Sequence, residues 1–159
     1  MASERAVFFV DAAHFVLGAY FGFLWCFERL FVKSGPGRQR FNVLGDLNAV
    51  THELITVTND SYINSQSVCD LLRKIADLGL SIPVTLVMDN ARYQKCALVM
   101  NLAADLNIEL LYLTTYSPNL NLIERLWKFV KKRCLYSIYY PDFSSFKKSI
   151  IGCPDQCPK

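Results

Sequence analysis

The stretch LLYLTTYSPNLNLIERLWKFVKKR, from Leu110 to Arg133, decides how this chain is built. It predicts a buried strand over Ile108 to Leu113, a Pro-containing turn, and then a helix. Apolar residues at Leu120, Ile123, Trp127, Val130 and Cys134 follow a 3-4-3-4 spacing that makes one packed stripe along that helix. Asn119 or Ser117 suits the helix cap, and Pro118 a first-turn or turn position. Glu124 sits just off the stripe, with Lys128, Lys131 and Lys132 following on about the same flank. A carboxylate beside a packed seam, trailed by cations, fits an acid that holds a metal next to a phosphate chain. Taken alone, the helix favours the plainer reading, an i,i+4 surface pair worth roughly a few tenths of a kcal/mol, and what overturns that reading lies upstream.

Upstream, residues 6 to 10 (AVFFV) form a continuous apolar run, a strand buried on both faces that ends at Asp11. Phe23 to Phe27 reads as a short strand and Ser34 to Gly37 as a turn. Phe41 to Gly45 and Glu53 to Val57 read as an antiparallel hairpin joined across Asp46 to Thr51. From Asn64 the period becomes helical: Val68, Leu71, Leu72, Ile75 and Leu78 share a face, with Asn64 or Ser65 as cap and Gly79 as stop. Val84 to Met88 is another buried strand, ending in Asp89. The next helix turns Val99, Leu102, Ala103 and Leu106 inward. No internal repeat, low-complexity tract or linker interrupts this order.

Three meandering strands followed by alternating helices and strands predict an α/β fold, a mixed sheet flanked by helices. Such sheets gather functional groups at the carboxyl ends of strands, where Asp11 and Asp89 both fall. Glu124 can approach from the following helix. Three acids brought together repel, and a hard divalent cation with oxygen ligands is the ordinary remedy.

At 159 residues the chain suits one domain, burying about 68–70% of its unfolded surface. The net charge of +3 permits a nucleic-acid partner without arguing for one, although basic residues cluster at Arg38 to Arg40 and from Lys128 to Arg133. Six cysteines show no CxxC pair and read as reduced, intracellular thiols. Residues 12 to 27 are uncharged and aromatic but too short for a membrane span, and they read as a patch that meets a partner. No signal peptide is visible, since the first apolar run is short and ends in an acid.

The string MDNARY (Met88 to Tyr93), together with Leu110 to Lys132, closely resembles the catalytic domain of DDE transposases, in particular the bacterial insertion-sequence branch of the Tc/mariner superfamily. The spacing of 34 residues between Asp89 and Glu124 is the one that group uses between its second and third acids. FVDAAHF (Phe9 to Phe15) resembles its first acidic strand and NVLGDLN (Asn42 to Asn48) its second strand. The resemblance spans about residues 6 to 151 and implies a ribonuclease-H-like fold. It divides the chain into a catalytic domain, residues 1–151, and a short irregular tail, residues 152–159.

The same resemblance makes Asp11, Asp89 and Glu124 the catalytic, metal-binding triad. It implies Mg²⁺, with Mn²⁺ as substitute, as a pair of ions, and phosphoryl transfer on DNA as the chemistry. Lys128, Lys131 and Lys132 are candidates for phosphate contacts, with a solvated helix face as the alternative. His14 stands between a substrate contact and a structural role, and Asn90 between supporting the second acid and closing its turn. The implied partners are transposon ends and target DNA, with a homodimer as an assembly open to it and no membrane. The implied location is the bacterial cytoplasm at the nucleoid.

The sequence departs from the family's usual pattern, which has Pro where Thr115 and Leu122 stand. The family's N-terminal helix-turn-helix region is also missing, so end recognition is expected to be lost or supplied by a separate chain. The alternative to an active enzyme is a catalytically silent transposase remnant that binds DNA or protein.

Overall fold

The computed structural model describes residues 4–18, 27–28, 39–114, 120–136 and 138–156. Its first strand, β1 (Ala6–Val16), is much longer than the apolar run predicts. The acid at position 11 does not end it, because β2 (Arg40–Asn48) pairs antiparallel with it from Phe8↔Asn48 to Val16↔Arg40. Asp11 therefore lies mid-strand. The hairpin to β3 (Leu54–Asn59) is as expected, but Asp46 to Asn48 belong to the strand and the turn is correspondingly shorter. The readings at residues 23–26 and 34–37 lie outside the described residues.

Helix α1 (Ser65–Ala76) starts where its capping chemistry predicts. Asn64 Oδ1 accepts from the Ser67 amide at 3.1 Å, and Ser67 Oγ accepts from the Asn64 amide at 3.3 Å, a reciprocal box. Gly79 adopts φ +61° just beyond the helix, a conformation glycine reaches without steric penalty. Leu78, expected on the inner face, is exposed because the helix has already ended.

Strands β4 (Val84–Met88) and β5 (Ile108–Tyr112) flank α2 (Ala97–Asp105) and pair in parallel. The sheet order is β3-β2-β1-β4-β5, with β1, β4 and β5 parallel. Being at the edge, β5 is not fully buried as expected: Leu111 is 52% exposed. Helix α3 (Ile123–Cys134) buries Ile123, Trp127, Val130 and Cys134, as the stripe predicts. Leu120 precedes the helix and is 60% exposed, so the stripe starts one step later than read. The caps read at Ser117 or Asn119 lie outside the described residues. Leu122 occupies the N-cap and forms no side-chain cap bond.

A fourth helix, α4 (Phe143–Gly152), was not expected. Asp142 caps it through the Ser145 amide at 2.7 Å, and Phe146 and Ile150 are its buried anchors. A 3₁₀ turn, Pro154–Gln156, follows it.

Two cores result, one on each face of the sheet. Phe8, Val10, Leu44, Leu86 and Met88 pack with α1 and α2, while Phe9, Ala13, Phe15, Val43 and Leu47 pack with α3 and α4. Cys69, Cys96, Cys134 and Cys153 are not joined in disulfides. Among the described residues no helix is long and apolar enough to cross a membrane.

Candidate active site

Strand register and side-chain alternation place the two aspartates. Parallel pairing of β1 and β4 runs from Ala6↔Val84 to Phe9↔Val87, and two further steps along each chain bring Asp11 level with Asp89. Successive residues of a strand face opposite sides. Phe9 and Ala13 pack in the α3 layer, so Asp11 between them faces that way too; Met88 packs in the α1 layer, which turns the next residue, Asp89, toward α3. Both acids are thus at the point where β1, held by β2, runs on after its pairing with β4 has ended.

Glu124 is the second residue of α3 and is half-buried. Two contacts seat its helix. Gly45, the β2 residue opposite Asp11, has no side chain, and the indole of Trp127 occupies the space. A Cβ there would meet Trp127 Cη2 at 2.8 Å and Ile123 Cδ1 at 3.0 Å. Ahead of the helix, Asn121 Nδ2 donates to the carbonyl of Val10 at 3.0 Å, one residue before Asp11.

Asp11 feels the charge of both other acids. Burial, and after it the charges of Asp89 and Glu124, push the Asp11 carboxyl from 3.8 up to about 6. The Ala12 amide and the Lys131 ammonium pull the other way. Tyr93 is raised by burial and then by Asp11 and Asp89, so its phenol also faces the pair. Among the described residues, no three acidic, imidazole or thiol groups stand close enough to form a closed metal-binding cluster. The acids interact through charge across a gap, and neither Asp89 nor Glu124 makes an ion pair among the described residues.

Of the three lysines, Lys131, two helical turns beyond Glu124, acts on Asp11, whereas Lys128 and Lys132 are exposed. His14 belongs to the opposite face. The Asn42 amide nitrogen donates to Asn59 Oδ1 at 2.9 Å and to the Ser61 carbonyl at 2.8 Å, leaving Asn42 Oδ1 to accept from His14 Nδ1 at 2.6 Å. The histidine is held by a cross-strand row. The side chain of Asn90 is exposed. Gly45, Tyr93 and Asn121 were not singled out from sequence. A lone glycine inside a strand was a readable signal of close backbone approach, but nothing marked Asn121.

A cavity of about 840 Å³ lies on the other flank of α3, walled by residues including Leu54, Leu126, Trp127 and Ile150, and none of the three acids lines it. With none of the three acids in its wall, the cavity does not locate the charged site.

Residues 6–147 match the profile of the family described as DDE superfamily endonuclease. The chain belongs to that family. No curated protein sequence matches the chain. Its fold resembles the Mos1 strand transfer complex with a TM-score of 0.65 at 14% identity, covering 94% of this chain and 52% of that one. The magnesium-bound HTLV-2 integrase catalytic core gives 0.54 at 10% identity, covering 95% of this chain and 75% of that one. For the simian T-cell lymphotropic virus intasome the values are 0.59 and 16%, covering 92% and 47%. The chain thus has the ribonuclease-H-like fold, and it spans about half the length of the Mos1 and simian virus chains.

Proposed function

We propose that this chain is the catalytic domain of a DNA transposase, with Asp11, Asp89 and Glu124 as its metal-holding acids. The carrying observation is that Asp11 on β1, Asp89 just past β4 and Glu124 on α3 interact through charge where β1 and β4 part; burial first, and then the charges of the other two acids, raise the Asp11 carboxyl to about 6. Mutual repulsion of this kind is relieved by a cation, and an all-oxygen donor set suits Mg²⁺ or Mn²⁺. The open arrangement also fits, because Mg²⁺ at phosphoryl-transfer sites is commonly held by one or two carboxylates plus substrate phosphate. A bound ion pair would activate the attacking oxygen and stabilise the leaving one.

In the first step water adds to a backbone phosphorus and the bond to the 3′ oxygen breaks, leaving a 3′-hydroxyl and a 5′-phosphate. In the second, that hydroxyl attacks a phosphorus of target DNA, and the target's own 3′ oxygen leaves. Asp11 must be ionised to take part, and Lys131 favours that state. Lys128 and Lys132, exposed on the same helix, are placed to meet phosphates.

The partners we infer are transposon ends and target DNA; the solved Mos1 structures include a paired-end complex with the left transposon end. We further assign the chain to the bacterial insertion-sequence branch, acting at the nucleoid, with a homodimer as the assembly. The catalytic unit is residues 1–151.

Nicking of supercoiled DNA with Mg²⁺ or Mn²⁺ tests the proposal. Wild-type protein is expected to cut and Asp89→Asn to fall to background. Equal cutting by both refutes the assignment.

A further inference from the structure

We propose that Asn121 is a positioning residue that sets Glu124 against Asp11, an inference that rests on the assignment of these acids above. Asn121 is 2% exposed and lies just ahead of α3. A buried asparagine in this place ordinarily caps the helix with its own side chain. Here the side chain turns away from the helix and donates to the Val10 carbonyl at 3.0 Å, across 111 positions of sequence. Its backbone carbonyl accepts the Glu124 amide at 3.2 Å. One residue therefore links the strand position before Asp11 to the amide of Glu124.

The location of this bond gives it leverage. Val10 follows the last β1–β4 pair, Phe9↔Val87, so the bond lands on β1 just past the point where its pairing with β4 ends. The first turn of α3 has no side-chain cap, and this tie stands in its place. Farther along, Trp127 over Gly45 anchors the helix body. Trp127 fixes how deep α3 sits on the sheet. Asn121 fixes how far it slides along β1, the coordinate that governs the distance from Glu124 to Asp11. Asn121 Oδ1 is buried without a hydrogen-bond partner. An asparagine kept despite that orphaned acceptor is there for its donor.

The test uses the full chain with Asn121→Asp, which keeps the shape but removes the donor, and Asn121→Ala, which removes bond and orphaned oxygen together. Glu124→Gln serves as reference. Three readouts are taken: hydrogen exchange of residues 122–127 without metal, Mn²⁺ affinity by calorimetry or electron paramagnetic resonance, and the division of the cleavage defect between kcat and KM.

The expected result is a cooperative fold in Asn121→Ala, faster exchange at the α3 start, and Mn²⁺ binding about 10-fold weaker. The loss should fall in kcat with KM for DNA unchanged. The Mn²⁺ effects of Asn121→Ala and Glu124→Gln should be non-additive, since both act on one contact. Wild-type exchange, or altered exchange with wild-type Mn²⁺ affinity, overturns the positioning role. Wild-type protein that binds no Mn²⁺ overturns the functional assignment first and this role with it, whereas a failure confined to the Asn121 variants leaves that assignment standing.

Discussion

Asp11 and Asp46 are near neighbours across the β1–β2 ladder, yet they face opposite sides of the sheet. Asp11 pairs with Gly45 and faces α3; Asp46 pairs with Val10 and faces the α1 layer. Both carboxyls are lifted well above 3.8, Asp11 to about 6 and Asp46 to about 8. The causes differ. Asp46 is 0% exposed, neither oxygen has a hydrogen-bond partner, and burial alone accounts for its shift. Asp11 is only half-buried and is raised additionally by two other carboxylates, with a lysine opposing them. The larger perturbation thus belongs to the group that burial alone displaces. A displaced carboxyl marks a site when its neighbours are charged and solvent reaches it, and marks a neutral core residue when neither holds.

The largest test of this contrast is catalytic. Asp11→Asn should reduce metal-dependent cleavage to background, whereas Asp46→Asn should cleave within about twofold of wild type at neutral pH, because Asp46 is already neutral there. Loss of cleavage in both variants would erase the distinction.

Stability against pH is the next measure. A carboxyl whose folded value is raised stabilises the fold fully below 3.8, and that contribution is lost as pH rises, through about 8 for Asp46 and about 6 for Asp11. Asp46→Leu should remove the upper part of the slope and add roughly 1–3 kcal/mol at neutral pH, measured by urea unfolding from pH 4 to 8.5. Saturating Mg²⁺ should flatten the Asp11 window and leave the Asp46 window in place.

Gly45→Val should destabilise by about 1–3 kcal/mol, since its side chain collides with Trp127, and should weaken cleavage by lifting α3. The smallest effect belongs to Lys131→Gln. Removing that cation raises the Asp11 carboxyl further, so the acidic limb of the cleavage profile should move to higher pH. The dependence of log DNA affinity on log salt should shallow by about one unit.

Much of this arrangement was legible in the sequence. The α1 capping box, the β4 run ending in Asp89 and the α3 stripe each express a local rule, and local rules do not need tertiary context. The extent of β1 was hidden, because what carries it past Asp11 is a partner strand some 30 residues downstream. Asp46 looked like a turn residue for a similar reason, since burial overrides its polarity. Helix α4 did leave a signal, an Asp142 cap followed by Phe143, Phe146 and Ile150 at helical spacing. The donor role of Asn121 left none, because a bond between residues 10 and 121 exists only once the chain has folded.

The hollow above Gly45 also limits how this protein can change over generations. Indole and glycine share one volume, so a lineage that enlarges position 45 must trim position 127 in the same step or lose the seat of its acid-bearing helix. These two positions should drift together among descendants. A survey that finds them varying independently would mean the fit is looser than the contacts here describe.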